Sequence, residues 1–483
     1  MKKSLYSCKQ SIILMLQQFV DRNQELDFLE KKYLENSAQL IIIYGRRRVG
    51  KTELIKKFLQ GKKGIYFLCS RDSITENIKE LKRKFSEFTK KEYFLKLDID
   101  SFFDLFKYFV DEIKEERVTI VFDEFPYLIE LSKGVVSTFQ KTWDELLKDK
   151  KVFLILCGSS IGMMETEVLG YKSPLYGRRT GEWKVEPFKL KDMLSVFRNF
   201  SLDQIFQFWS IFGATPFYLN QINPNFSLEE NIKIKILSKG EVLYNEPIIL
   251  LREEFREPRT YTLILKYLSL GYNTLGELSS ITGIDKGNLS KYISELEETR
   301  LIEYILPLGQ RKRGIYAISE PFFNFWFRFV YPNLSDLEAG LINEVYLRIS
   351  SQLNSYFGLM FEKLIFELVK TKEVPLPISF TEIRKWWYKD KEIDIIALNQ
   401  ESKQIIFAEC KWQDDVNVEK IVKELKEKSK FVKWGNAERR EYFILFAKSF
   451  KEKIEEPNII LFDLKSLENA LKQSGRVQLP TIV

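Results

Sequence analysis

The sequence contains no histidine. That removes Ser-His-Asp and Cys-His hydrolysis, His-ligated zinc and any nuclease that relies on an imidazole base. Catalysis must then use carboxylates, lysines, hydroxyls, metal ions or backbone groups. Cysteine is scarce as well: Cys8, Cys69, Cys157 and Cys410 lie far apart with no CxxC. They read as buried thiols of a reducing compartment, neither a zinc site nor a disulfide framework. No apolar run approaches the roughly 18 residues that a membrane span needs. Residues 12–16 (IILML) are too short for a signal peptide, and no small-residue cleavage site follows. These absences predict a cytoplasmic chain without membrane contact, its organised pattern starting at Phe19.

What is present is ordinary globular composition over 483 residues, 45% hydrophobic and 30% charged, which suggests about three domains. Lys and Arg number 75 against 68 Asp and Glu, a net charge of +7 that permits a nucleic-acid partner without arguing for one. Short apolar runs at LIIIY (40–44), GIYFLC (64–69), VTIVF (118–122) and VFLILC (152–157) alternate with amphipathic stretches. That alternation predicts an α/β fold with a parallel sheet covered on both faces. Residues 191–255 read as helical, interrupted by GATPFYL (213–219). Three short helical segments follow within 256–330, then LIEYILPL, the basic turn QRKRG and IYAI, the order of a winged helix. YPNLSDLEAG (331–340) reads as a linker, and 341–483 as helix, strand, strand, helix, strand.

Three constellations carry chemistry. Gly45-Arg46-Arg47-Arg48-Val49-Gly50-Lys51-Thr52 matches GxxxxGK[ST] between an apolar strand and a helix that continues through Glu53. Such a loop cradles phosphates with backbone N–H groups. Lys51 reaches the β- and γ-phosphates of ATP, and the Thr52 hydroxyl holds Mg²⁺. Asp123 and Glu124 end a later strand, placing Asp123 to bind Mg²⁺ through water and Glu124 to polarise the attacking water. Ser159 and Ser160 end the next strand, where a polar group can sense the γ-phosphate. Arg178 and Arg179 are candidates for an arginine finger, in cis or from a neighbouring subunit.

The second constellation is KDKEIDIIALNQESKQIIFAECKW, a β-hairpin. A turn centred on Glu401-Ser402 places Asp394 opposite Glu409 and Glu392 opposite Lys411, all on one face. Paired carboxylates with a lysine, and Glu362 on the preceding helix, suit Mg²⁺ or Mn²⁺ and phosphodiester cleavage. In the third, Thr274, Gly283 and Asp285 mark helix caps and a turn. Lys286, Asn288, Ser290 and Lys291 open the following helix, and Arg311, Lys312 and Arg313 form a basic tip. Double-stranded DNA and a protein partner are both compatible with that surface.

FVDRNQEL, IYGRRRVGKTELI, the FDEF box, SPLYGRRTGEW and GATPFYL resemble the archaeal ATPase family of P-loop proteins, related to AAA and STAND ATPases. WWYKDKEIDIIAL and FAECKW resemble the DUF234 domain, regarded as similar to PD-(D/E)XK nucleases. The resemblance implies a P-loop core (19–190), helical lid (191–255), winged helix (256–330) and a C-terminal domain with a restriction-endonuclease-like α/β fold (341–483). It also implies ATP hydrolysis. Two rival readings stay open: a DNA-binding regulator with an inactive C-terminal domain, and a protein-interaction switch. Self-association into a homo-oligomer is open too.

Overall fold

The computed structural model describes residues 22–113, 116–435, 438–452, 454 and 456–474. Cys8 and the 12–16 stretch lie outside them. The chain divides into two units. Residues up to Pro187 together with Thr215–Asn220 form the first, and Phe188–Ala214 with the chain from Gln221 onward forms the second.

The first unit is built on five strands: β1 (Gln39–Tyr44), β2 (Gly64–Leu68), β3 (Val118–Asp123), β4 (Val152–Gly158) and β5 (Gly181–Lys184). Their order is β2-β3-β4-β1-β5, and every pairing is parallel. Alternation along a strand sends successive side chains to opposite faces. Leu40, Ile42 and Tyr44 of β1 join Leu154, Leu156, Phe122 and a cluster of phenylalanines. Ile41 and Ile43 join Phe153, Ile155, Leu54 and Phe58 on the other face. Both faces being covered explains why the strands read as unbroken apolar runs. β5 was not visible as a run, because GEWK is short, polar and at the sheet edge.

In the second unit, the helix Leu202–Phe212 is α1, Leu275–Thr282 is α2, Lys286–Glu298 is α3, and strands β6 (Ile302–Ile305) and β7 (Ile315–Ile318) pair antiparallel. Thr274 caps α2 in a capping box with Glu277. Gly283 turns at φ 73°, and Asp285 caps α3 by accepting from Gly287 N and Asn288 N. The segment 331–340 is not a linker. It is helical over Leu334–Glu338, Leu337 is buried, and Glu338 accepts a hydrogen bond from the Tyr244 hydroxyl at 2.7 Å. Its Pro, Asn and Gly read as loop chemistry, but buried contacts decide its conformation.

The helix α4 (Ile342–Lys370) leads into a mixed sheet ordered β12-β11-β10-β9-β8. Its strands are β8 (Glu382–Tyr388), β9 (Lys391–Asn399), β10 (Gln404–Lys411), β11 (Arg440–Ala447) and β12 (Ile459–Phe462), with helix α5 (Val418–Ser429) between β10 and β11. β8 and β12 add two strands to the expected three. Within this unit the fully buried Tyr356 of α4 donates to Ser210 O at 2.9 Å on α1 and lies 3.3 Å from Pro321 O. Trp412 packs on Phe206 at a ring separation of 4.2 Å. Leu308, just after β6, donates its N–H to Lys385 O of β8 and packs on the C-terminal core. Among the described residues no helix is long and apolar enough to cross a membrane.

Tyr356→Phe should cost about 1–2 kcal/mol, since it leaves a buried carbonyl without its donor. An unchanged denaturation midpoint for the second unit's transition would contradict this packing.

Candidate functional sites

The phosphate loop leaves β1 at Gly45 and closes at Gly50, the residue before the helix Lys51–Leu59. Gly45 has φ 155°, and a Cβ there would lie 2.2 Å from Val185 O. Gly50 has φ 90°, and a Cβ there would meet nothing within 4 Å. One glycine is required by close backbone approach, the other by its left-handed turn beside open space. Lys51 is buried, and its Nζ donates to Gly45 O (2.8 Å) and Arg46 O (2.9 Å). The ammonium is thus held against the loop it would share with a phosphate. Val49 is buried, and its carbonyl accepts from Arg22 at 2.8 Å. Arg47 donates to the Tyr127 hydroxyl at 3.2 Å, and Arg48 lies over the Phe217 ring at 4.3 Å. Glu53 is exposed and pairs with Lys56.

β4 lies between β1 and β3, so Ser159, one residue past the Tyr44↔Gly158 pair, is level with Gly45. This places the Ser159 hydroxyl 2.6 Å from Glu124 Oε2, while its N–H donates to the same oxygen at 3.2 Å. Ser159 therefore holds the acid expected to activate water. Glu124 sits at φ 55°, a strained conformation of the kind that gathers at functional sites. Asp123 is almost fully buried. Its Oδ2 accepts from Thr52 Oγ1 (2.8 Å) and Tyr66 Oη (2.5 Å), and its Oδ1 accepts from Glu124 N (3.0 Å). Burial first, and then the Asp123 hydrogen bond and charge, push the Tyr66 phenol well above its ordinary range, so it remains a donor. Sequence reasoning missed Tyr66, since an aromatic in an apolar strand gives no signal of its own, and gave Arg22 no role although it lies in the FVDRNQEL motif. The pair Thr52–Asp123 beside open space at Gly50 fits a Mg²⁺-bound triphosphate.

Arg178 and Arg179 are not brought to this loop. β5 runs parallel to β1, and Thr180 N donates to Leu40 O. Thr180 is therefore level with Leu40, five positions and about 16 Å of strand before Gly45. Arg178 pairs with Asp144 at 2.8 Å and Arg179 with Glu182 at 2.5 Å. A finger in cis is excluded in this arrangement by the strand direction.

The second site lies on β9 and β10. Ala408 pairs with Ile395 at the end of the β9–β10 ladder, and Glu409 and Asp394 are the next residue along each strand. Asp394 and Glu409 are both about 5% exposed. Asp394 Oδ2 accepts from Cys410 N at 2.8 Å. Burial, then the charges of Glu409 and Glu362, push the Asp394 carboxyl up to about 8. Glu362 on α4 is also raised, by burial first, and lies 3.6 Å from Lys385. Burial works against the Lys411 ammonium, but Glu409 and Asp394 outweigh it and raise its pKa. Glu409 Oε1 accepts from Lys411 at 3.1 Å and from Lys428 of α5 at 2.8 Å, whereas Oε2 is buried without a hydrogen-bond partner. That orphaned oxygen, on a carboxylate whose charge raises the pKa of Asp394, is one that a divalent cation would satisfy. Among the described residues, no three Cys, Asp or Glu converge into a ready metal cage. Lys428 was missed because nothing distinguishes it from its neighbours in a lysine-rich helix. Cys69, Cys157 and Cys410 are free and buried.

Lys286, Asn288, Ser290 and Lys291 are exposed along the N-terminal half of α3, while Leu289, Ile293 and Leu296 face inward. Arg311, Lys312 and Arg313 are exposed between β6 and β7.

The parallel sheet and its loop define a P-loop nucleotide-binding α/β unit. Residues 19–222 match the family model "ATPase domain predominantly from Archaea", and 326–425 match DUF234, "Archaea bacterial proteins of unknown function". An uncharacterized protein of Methanocaldococcus jannaschii is 36% identical over 456 residues, covering 92% of this chain and 99% of that protein. An uncharacterized ATP-binding protein of the same organism is 71% identical over 45 residues, 9% of this chain and 76% of that protein. Among solved structures, a Walker-type ATPase of Pyrococcus abyssi is 22% identical with a TM-score of 0.46, covering 64% of this chain and 96% of that one. The chain belongs to the archaeal ATPase family that carries a C-terminal DUF234 domain.

The raised Asp394 has a definite consequence for stability without metal. Between the unfolded value near 4 and the folded value of about 8, only the unfolded chain gives up this proton, so its contribution to stability falls as pH rises through that window. With chelator present, Asp394→Asn should be more stable than the parent at pH 8, by on the order of 2 kcal/mol, with the difference shrinking towards pH 4. A difference independent of pH would contradict the assigned environment.

Proposed function

We propose that this protein is an ATP-hydrolysing switch whose second unit binds double-stranded DNA and carries a nuclease-like carboxylate centre. The observation that carries the ATPase reading is the joining of Thr52 to Asp123 and of Ser159 to Glu124 beside a buried Lys51. In this reading Gly45–Gly50 and Lys51 hold the phosphates, and Thr52 and Asp123 hold Mg²⁺, which neutralises phosphate charge. Glu124 orients water and accepts its proton, and Ser159 keeps that carboxylate aimed until nucleotide draws it away. Arg48 gives the loop a route to the rest of the chain. It stacks on Phe217, and Phe217 belongs to a short segment whose flanks both continue into the second unit.

For the second unit, the exposed Lys286, Asn288, Ser290 and Lys291 with the Arg311–Arg313 tip support a winged helix that contacts DNA. Asp394, Glu409 and Glu362 would hold Mg²⁺ or Mn²⁺, and Lys411 would neutralise charge on a reacting phosphate. A regulator with an inactive nuclease-like domain is the second reading, favoured by the absence of a ready three-carboxylate cage among the described residues. Arg178 and Arg179 could act only on a neighbouring copy's nucleotide.

Lys51→Ala should abolish ATP binding, and Glu124→Gln should bind ATP while turnover falls about 100-fold or more. Retention of ATP by the Lys51 variant, measured by calorimetry, would overturn the site. Undiminished turnover by Glu124→Gln would remove Glu124 from the chemistry.

A further inference from the structure

Lys428 belongs to two places at once. Its Nζ is 2.8 Å from Glu409 Oε1, and its side chain also lines an open cleft of about 520 Å³. The cleft is formed by Lys391 at the start of β9 and by Lys420, Lys423, Glu424, Glu427 and Lys428 of α5. The spacing of the α5 residues puts them on one face of the helix. The opposite face, Val418, Val422 and Leu425, is buried in the C-terminal core. Four lysines thus outnumber two glutamates, and one of those, Glu427, is paired with Lys430.

The lysines of α5 extend over nine residues of helix, about 12 Å. That is wider than one phosphate group and suits successive phosphates of a nucleic-acid backbone, which take Lys contacts without regard to sequence. The exposed basic residues of α3 and the 311–313 tip lie in the same unit and favour nucleic acid over an acidic protein.

We infer that this cleft binds the phosphate backbone of duplex DNA, and that Lys428 is the gate through which the backbone controls cation binding at Glu409. The inference rests on reading Asp394 and Glu409 as a cation site. Without DNA, Lys411 and Lys428 both bond Glu409 Oε1, so two ammonium groups already neutralise the carboxylate whose Oε2 would take a divalent cation. A lysine is a point charge on a flexible four-carbon stem and can exchange one anion for another. When a phosphate in the cleft takes Lys428, Glu409 loses one counter-ion and keeps a buried, unpartnered Oε2. Its demand for a cation then rises. Phosphate and cation therefore bind with positive coupling, and the coupling is reciprocal.

The test is Mn²⁺ titration of the nucleotide-free full-length chain, by calorimetry or by electron paramagnetic resonance, with and without a phosphorothioate-protected DNA duplex. The duplex should tighten Mn²⁺ binding by about tenfold in the parent. Lys428→Gln should bind Mn²⁺ without DNA as tightly as the DNA-loaded parent, and the duplex should add little. Lys420→Ala with Lys423→Ala should weaken duplex binding and flatten its salt dependence. Parent-like Mn²⁺ affinity and coupling in Lys428→Gln would overturn the gate while leaving the cation site intact. Mn²⁺ binding untouched by Asp394→Asn would overturn the cation site and the gate with it. Unchanged duplex affinity in the double variant, or equal tightening of Mn²⁺ by polyglutamate, would overturn the assignment of the cleft to a nucleic-acid backbone.

Discussion

A carboxylate removed from water on a β-strand must be matched by donors, a proton or a cation, and the buried carboxylates of both units are organised by that requirement. Asp123 meets it with three donors, from Thr52, Tyr66 and the following backbone N–H. Asp394 meets it with the Cys410 N–H and a raised pKa, and Glu409 with two lysines on a single oxygen. Each arrangement is complete enough to fold and is one a cation can remodel. Thr52 can turn from Asp123 to a metal, and Lys428 from Glu409 to a phosphate.

The first unit was largely legible in the sequence because its sheet is buried on both faces. LIIIY, VTIVF and VFLILC could only be interior strands, and the phosphate loop lay between a strand and a helix as its chemistry demands. The hairpin register was legible too, since a turn centred on Glu401-Ser402 gives the observed pairing of Gln404 with Asn399 through Ala408 with Ile395. What failed to show was whatever depended on direction or on distant partners. Arg178 and Arg179 looked well placed in chain order. The parallel entry of β5 set them at the far edge of the sheet, bonded to Asp144 and Glu182. Tyr66, in an apolar strand, and Lys428, in a run of lysines and glutamates, gain their meaning only from what folding brings to them.

The two units divide the work by chemistry. The first has a phosphate loop with a buried Lys51, and Glu124 held by Ser159 beside it. The second has exposed basic residues, a lysine-lined cleft and the buried carboxylates Asp394 and Glu409. The segment Thr215–Asn220 packs with the first unit although its neighbours in sequence belong to the second, and Arg48 of the phosphate loop stacks on its Phe217.

The measurement that bears most directly on this account is steady-state ATP hydrolysis with Mg²⁺, with and without double-stranded DNA. A switch that couples the phosphate loop to a DNA-binding second unit predicts turnover that DNA stimulates, with the stimulation fading as salt rises. Clear turnover that is indifferent to DNA at every salt concentration would contradict the coupling and assign the trigger to a protein partner.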